Sequence, residues 1–167
     1  MQIGKISKCR GYTYIGLLII VMITGFALAQ AGTTWGEKVK RAREQELLKV
    51  GDKLRIAIGQ YYENSPTTIK QFPQSLDDLL LDTRFPTPKR YLREVYIDPF
   101  TGRRDWGMLI ASDGGIMGVY SLSGSKPYKH ANFRPKYQYF ADKKTYGDWI
   151  FAYIPSENLT SSLSKRP

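Results

Sequence analysis

After Arg10 no charged side chain appears until Glu37, and between Tyr12 and Ala31 the polar residues are few: Thr13, Thr24 and Gln30. Twenty residues at ~1.5 Å each reach about 30 Å, the thickness of a bilayer's hydrocarbon core, so this run predicts a membrane-spanning helix. Trp35 lies a few residues further on, where an aromatic ring suits the far interface. The pattern then changes from uniformly apolar to periodic. Val39, Ala42, Leu47, Val50, Leu54, Ile58 and Tyr61 recur at helical spacing, with Lys, Arg, Glu and Gln between them. The first proline is Pro66. One helix is therefore expected from Tyr12 to about Glu63, weakened at Gly25, Gly32, Gly36, Gly51 and Gly59. Asn64-Ser65-Pro66 is expected to end it, with Asn64 in a left-handed cap and the proline unable to continue.

Beyond the helix the periods shorten. Ser75 followed by Asp78 resembles a capping box and predicts a short helix over 76–82. Pro86 and Pro88 force an extended loop, and Asp98-Pro99-Phe100-Thr101-Gly102 reads as a turn. Residues 106–111 and 116–122 read as two strands joined by Ser112-Asp113-Gly114-Gly115, a hairpin signal because its glycines supply positive φ. A third strand is expected over 148–154, apolar on both faces, and the Ser-rich end after Pro155 is expected to fray. The architecture implied is α+β: a long N-terminal helix, half membrane-embedded and half amphipathic, packed on a small antiparallel sheet. Its regions are a leader (1–11), a membrane helix (12–34), an amphipathic continuation (35–65) and an α+β domain (66–167).

Charge changes this picture only at the ends of the span. The formal net charge is +10, but Lys5, Lys8 and Arg10 belong to the leader, which leaves +7 on 12–167. Lys38, Lys40, Arg41 and Arg43 flank the other end, so counting positives alone nearly ties. The first flank usually dominates, which places the N-terminus in the cytoplasm. A solvated juxtamembrane helix accounts for the second cluster, and nucleic acid is not expected as a partner. Cys9 is the only cysteine and precedes the apolar run, so a trimmed chain has no thiol for a disulfide or metal.

Catalytic constellations are missing from the pattern. His130 stands in a Lys-Pro-Tyr-Lys-His-Ala-Asn loop without an acid or cysteine beside it, and no phosphate-cradling glycine motif occurs. Asp98, Asp105 and Asp113 are spaced by seven and eight residues and read as turn terminators. Asp113-Gly114-Gly115 lacks the repeated acidic positions of a calcium loop. The twelve tyrosines fall mostly on or beside expected elements, where packing with a wet hydroxyl is their ordinary role. No enzyme activity, catalytic residue, cofactor or metal is expected.

Three stretches carry a resemblance to a known family: Arg10-Gly11-Tyr12-Thr13-Tyr14-Ile15, Phe72-Pro73-Gln74-Ser75-Leu76-Asp77-Asp78-Leu79, and Tyr96-Ile97-Asp98-Pro99-Phe100-Thr101-Gly102. Together they resemble the type IV pilin-like proteins, and more narrowly the type II secretion pseudopilins of the major-subunit type, over about residues 8 to 110. The resemblance implies cleavage by a prepilin peptidase after Gly11 and N-methylation of Tyr12, the new first residue. It implies an inner-membrane, single-pass protein with its C-terminal domain in the periplasm. Assembly with copies of itself or other pseudopilins would form a periplasmic filament on the inner-membrane secretion platform and drive protein export. Two departures stand out. The family usually carries glutamate at the fifth mature position, which here is Gly16, and that raises the prospect of a specialised subunit. The calcium loop of many major pseudopilins is also not evident.

Two other readings compete. A minor type IV pilin for adhesion or DNA uptake would share the same leader and helix. An ordinary export signal would use Ala27-Leu28-Ala29 as its cleavage site and release a soluble periplasmic protein beginning at Gln30.

Overall fold

The structure is a computed structural model that describes residues 12–155, with side chains omitted for 30–35. The chain divides into two units at Lys40 and Arg41. Helix α1, Tyr12–Glu63, takes in the described part of the first unit and continues into the second. The strands are β1, Gly107–Ile110, β2, Ile116–Tyr120, and β3, Phe151–Ala152. They form one antiparallel sheet in the order β1-β2-β3. The fold is thus α+β, an apolar N-terminal helix with a small three-stranded sheet.

In the first unit, side chains along Tyr12–Ala29 are exposed, and this stretch is long and apolar enough to cross a membrane. Thr24 directs its hydroxyl back to the carbonyls of Ile20 (2.9 Å) and Val21 (3.0 Å), so its polar group is satisfied within the helix itself.

In the second unit α1 buries Leu47, Val50, Leu54, Ala57, Ile58 and Tyr61, which are the later members of the expected stripe with Ala57 added. Val39 and Ala42, also expected on that stripe, are exposed. Gly51 and Gly59 have a role the sequence reading missed. A Cβ on Gly51 would lie 2.5 Å from the Phe151 ring, and one on Gly59 would lie 2.6 Å from the Tyr153 ring. Their missing side chains let β3 and the residues after it press aromatic rings onto the helix backbone. The remaining core is an aromatic cluster. Phe140 stacks on Tyr137 (4.9 Å between centroids) and on Trp149 (5.1 Å), and Phe133 meets Trp149 edge-on at 5.3 Å.

Several expectations are corrected. The short helix expected over 76–82 is a single 3-10 turn, Leu76–Leu79, although its Ser75–Asp78 capping box forms. The chain leaves that turn because Asp82 pairs its backbone with Lys89 instead. The strand expected over 148–154 shrinks to Phe151–Ala152: Thr145 and Asp148 form a second capping box that winds Tyr146–Asp148 into a 3-10 turn. Of the residues in that stretch, apolar on both faces, Trp149 and Phe151 are buried, whereas Ile154 is 57% exposed. Strands 106–111 and 116–122 are trimmed at their ends, and β2 stops where Ser121 turns its hydroxyl to Asp98. Asn64 does not adopt a left-handed cap, since the positive-φ residues other than glycine among those described are Asn132 and Asp142. Arg84 and Ser65 cap the helix instead: Arg84 donates to the Tyr61 carbonyl (2.9 Å) and Ser65 Oγ to that of Tyr62 (2.9 Å).

Both expected turns form. Gly102 (φ +70°) closes the Asp98 turn, and Gly114 (φ +83°) occupies the hairpin between β1 and β2.

Candidate functional site

Of the two residues singled out for processing, Gly11 lies outside the described residues. Tyr12 is the first residue of α1 and is 83% exposed. The helix that follows presents Tyr14, Ile15, Leu17, Leu18, Ile19 and Ile20, all more than 45% exposed, and no charged side chain as far as Gly36. An exposed apolar run of this length is unstable in water and needs a lipid or protein surface to cover it. Gly16 sits in this run with nothing within 4 Å of where its Cβ would stand, so the fifth residue after Gly11 has open space for a side chain it lacks.

Several charged side chains of the second unit hold its segments together. Asp52 accepts from Lys136 Nζ (2.7 Å), Tyr137 Oη (2.6 Å) and Arg55 (3.1 Å). Burial would raise its carboxyl, but these three donors outweigh that effect and hold it at about 2. The Tyr137 hydroxyl is pushed well up, first by burial and then by the Asp52 carboxylate it serves. Glu44 is buried, and its Oε2 accepts from the backbone N–H of Tyr128 (2.8 Å) and Lys129 (3.2 Å) and from Tyr146 Oη (2.8 Å). One turn earlier, Arg41 donates to Tyr128 Oη and lies over its ring. Residues 128–129 are therefore tied to α1 from above and below.

Asp82 is likewise buried. Arg84 Nε donates to its Oδ1 (2.9 Å), Arg84 Nη2 to its Oδ2 (2.8 Å), and Tyr91 Oη adds a third bond (3.1 Å). The guanidinium also covers the Tyr61 ring at 3.5 Å.

The three aspartates read as turn terminators lie in separate settings. Asp98 is buried, accepting from Ser121 Oγ (2.6 Å) and the Phe100 N–H (2.8 Å). Asp105 faces Arg103 at 3.8 Å, and Asp113 accepts from the N–H groups of Phe72 and Gly115. Among the described residues no group of three His, Cys, Asp or Glu side chains could hold a metal ion. His130 is exposed and makes no hydrogen bond within the described part of the chain.

Sequence reasoning missed Glu44, Asp52 and Arg84. Glu44 left a signal: it stands one turn before Leu47 in the register of the apolar stripe, where a carboxylate demands a buried partner. Asp52 and Arg84 have near partners in Arg55 and Asp82, but the contacts that tie segments together, Asp52 to Lys136 and Arg84 to the Tyr61 carbonyl, span 84 and 23 residues and left no local signal. What fold and site define is an α+β chain with, among the described residues, one span-capable helix toward its N-terminal end. No family model, curated protein or solved structure matches the chain.

Proposed function

We propose that the chain is a non-enzymatic, pilin-like subunit, a pseudopilin of a type II secretion apparatus. In this reading the leader is removed after Gly11, Tyr12 becomes the methylated N-terminus, and the apolar helix first anchors the protein in the inner membrane. Copies then associate through the same helix into a periplasmic filament that drives protein export. The observation that carries the reading is the junction itself: Gly11-Tyr12 immediately precedes an exposed apolar helix, with no spacer between them. A cut there keeps the hydrophobic segment, and one surface serves both states because lipid and a helix bundle are similarly apolar. Gly16 fits a specialised subunit, since a carboxylate at that depth is costly unless a neighbour pairs with it.

Mass spectrometry of the mature N-terminus tests the proposal. Methylated Tyr12 is expected; Gln30 would replace the reading with an exported soluble protein. Gly11→Val should leave the leader in place and abolish assembly, and processed filaments from that variant would refute the assignment.

A further inference from the structure

A cavity of about 490 Å³ opens between the 126–130 segment and the 142–144 segment, lined by Lys126, Pro127, His130, Asp142, Lys143 and Lys144. Three lysines and a histidine face one carboxylate, and none of the four forms an ion pair with an acid among the described residues. Three lysines still outnumber the acids at hand, Asp142 in the lining and Asp148 within electrostatic reach of Lys143, and an anion between the lysines would relieve their mutual repulsion.

Both walls are held in place from behind. On one side Glu44 grips the N–H groups of Tyr128 and Lys129, which lie between Lys126 and His130. On the other, Asp142 takes a left-handed conformation (φ +65°), the Lys143 N–H returns to the Phe140 carbonyl, and the Thr145–Asp148 capping box follows at once. The cations are thus mounted on two braced loops, so a ligand would not have to order the backbone that carries them.

We propose that this cavity binds a phosphate group carried on a small polar body: the glycerol-phosphate headgroup of an anionic lipid, or a soluble phosphate ester. Lysine ammonium groups act as point charges that suit a phosphate's several acceptor oxygens. The volume exceeds what bare phosphate fills and leaves room for a glycerol-sized group. Apart from Pro127 the lining offers no apolar wall for an acyl chain, and its one aromatic ring is the His130 imidazole, without the paired tyrosine, phenylalanine or tryptophan faces of a base-stacking groove.

Titration of the full-length chain in neutral detergent tests the site, with glycerol phosphate and short-chain phosphatidylglycerol as probes and phosphatidylcholine as the control lipid. Saturable binding of either probe, weakened at least about tenfold by Lys143→Glu/Lys144→Glu, is the expected result. Lys126→Glu on the opposite wall should act the same way, while Arg90→Glu/Arg93→Glu, distant in sequence and outside the cavity lining, should leave binding unchanged. Glycerol phosphate binding alone assigns a soluble source, and phosphatidylglycerol binding alone assigns the membrane. The proposal falls if neither probe binds, or if the lysine variants bind as the parent does. It falls equally if a single-stranded oligonucleotide binds more tightly than both probes.

Discussion

At the scale of single residues, the second unit shows how much depends on side chains that are absent or ionised. Gly51 looks like a weak point in a helix, and replacing it with alanine should recover about 1 kcal/mol of helix propensity. Yet the new Cβ would meet the Phe151 ring at 2.5 Å, and that ring is fully buried with nowhere to move. Overpacking of this kind costs about 1–3 kcal/mol, so Gly51→Ala should be destabilising in denaturant unfolding. Combined with Phe151→Leu it should cost less than the two single changes together, a coupling that an effect confined to the helix would not produce.

Asp52 gives a pH dependence with a definite sign. Its folded value of about 2 lies below the ordinary 3.8, so its stabilisation is complete above the ordinary value and is lost as pH falls toward 2. The contribution is about 2 kcal/mol. Asp52→Asn should lower stability by about that amount near neutral pH and flatten the acid limb of the stability curve between pH 4 and about 2. An unchanged limb would show that the three donors do not act on this carboxylate.

Among the elements, the end of α1 separates what a local pattern can tell from what it cannot. Asn64-Ser65-Pro66 marked the boundary correctly, because proline removes a donor whatever the tertiary context. The identity of the cap was not legible, since Arg84 reaches it from 23 residues away. The same division recurs in the sheet. The Asp-Gly hairpin and the Asp98 turn were readable because they depend on residues within a few positions. The third strand was overcalled. Its alternation of apolar residues suits a strand, but Thr145-Tyr146-Gly147-Asp148 is itself a capping-box pattern, and that local hydrogen bonding takes the chain first. At this scale Arg84 is the residue to test. Its side chain is 21% exposed and Asp82 is fully buried, so Arg84→Ala would strand a buried carboxylate and uncap α1. A loss of about 3 kcal/mol is expected, read from thermal or denaturant unfolding. Arg84→Lys should recover less than half of it, because an ammonium cannot fork across both Asp82 oxygens while covering the Tyr61 ring. Full recovery by lysine would reduce Arg84 to a simple counter-charge.

For the whole molecule, the two units were legible to different degrees for a physical reason. An unbroken apolar run of bilayer length needs no partner to be recognised, so the first unit's candidate surface was visible from composition and order alone. The second unit draws its definition from pairings such as Glu44 with 128–129 and Asp52 with 136–137, which no short window contains. If the apolar helix anchors the chain as proposed, this division predicts that anchoring can be removed without disturbing the fold of 41–155. Leu18→Arg with Val21→Arg places two charges in the middle of the exposed apolar run. At about 2.5–3.5 kcal/mol each, they should remove the chain from the fraction that resists alkaline carbonate extraction. The near-ultraviolet circular dichroism of the aromatic cluster around Phe140 and Trp149 should be retained, because no residue of that cluster lies in the altered stretch. If the variant stayed in the carbonate-resistant fraction, the proposal that the run from Tyr12 to Ala29 is the anchor would fail.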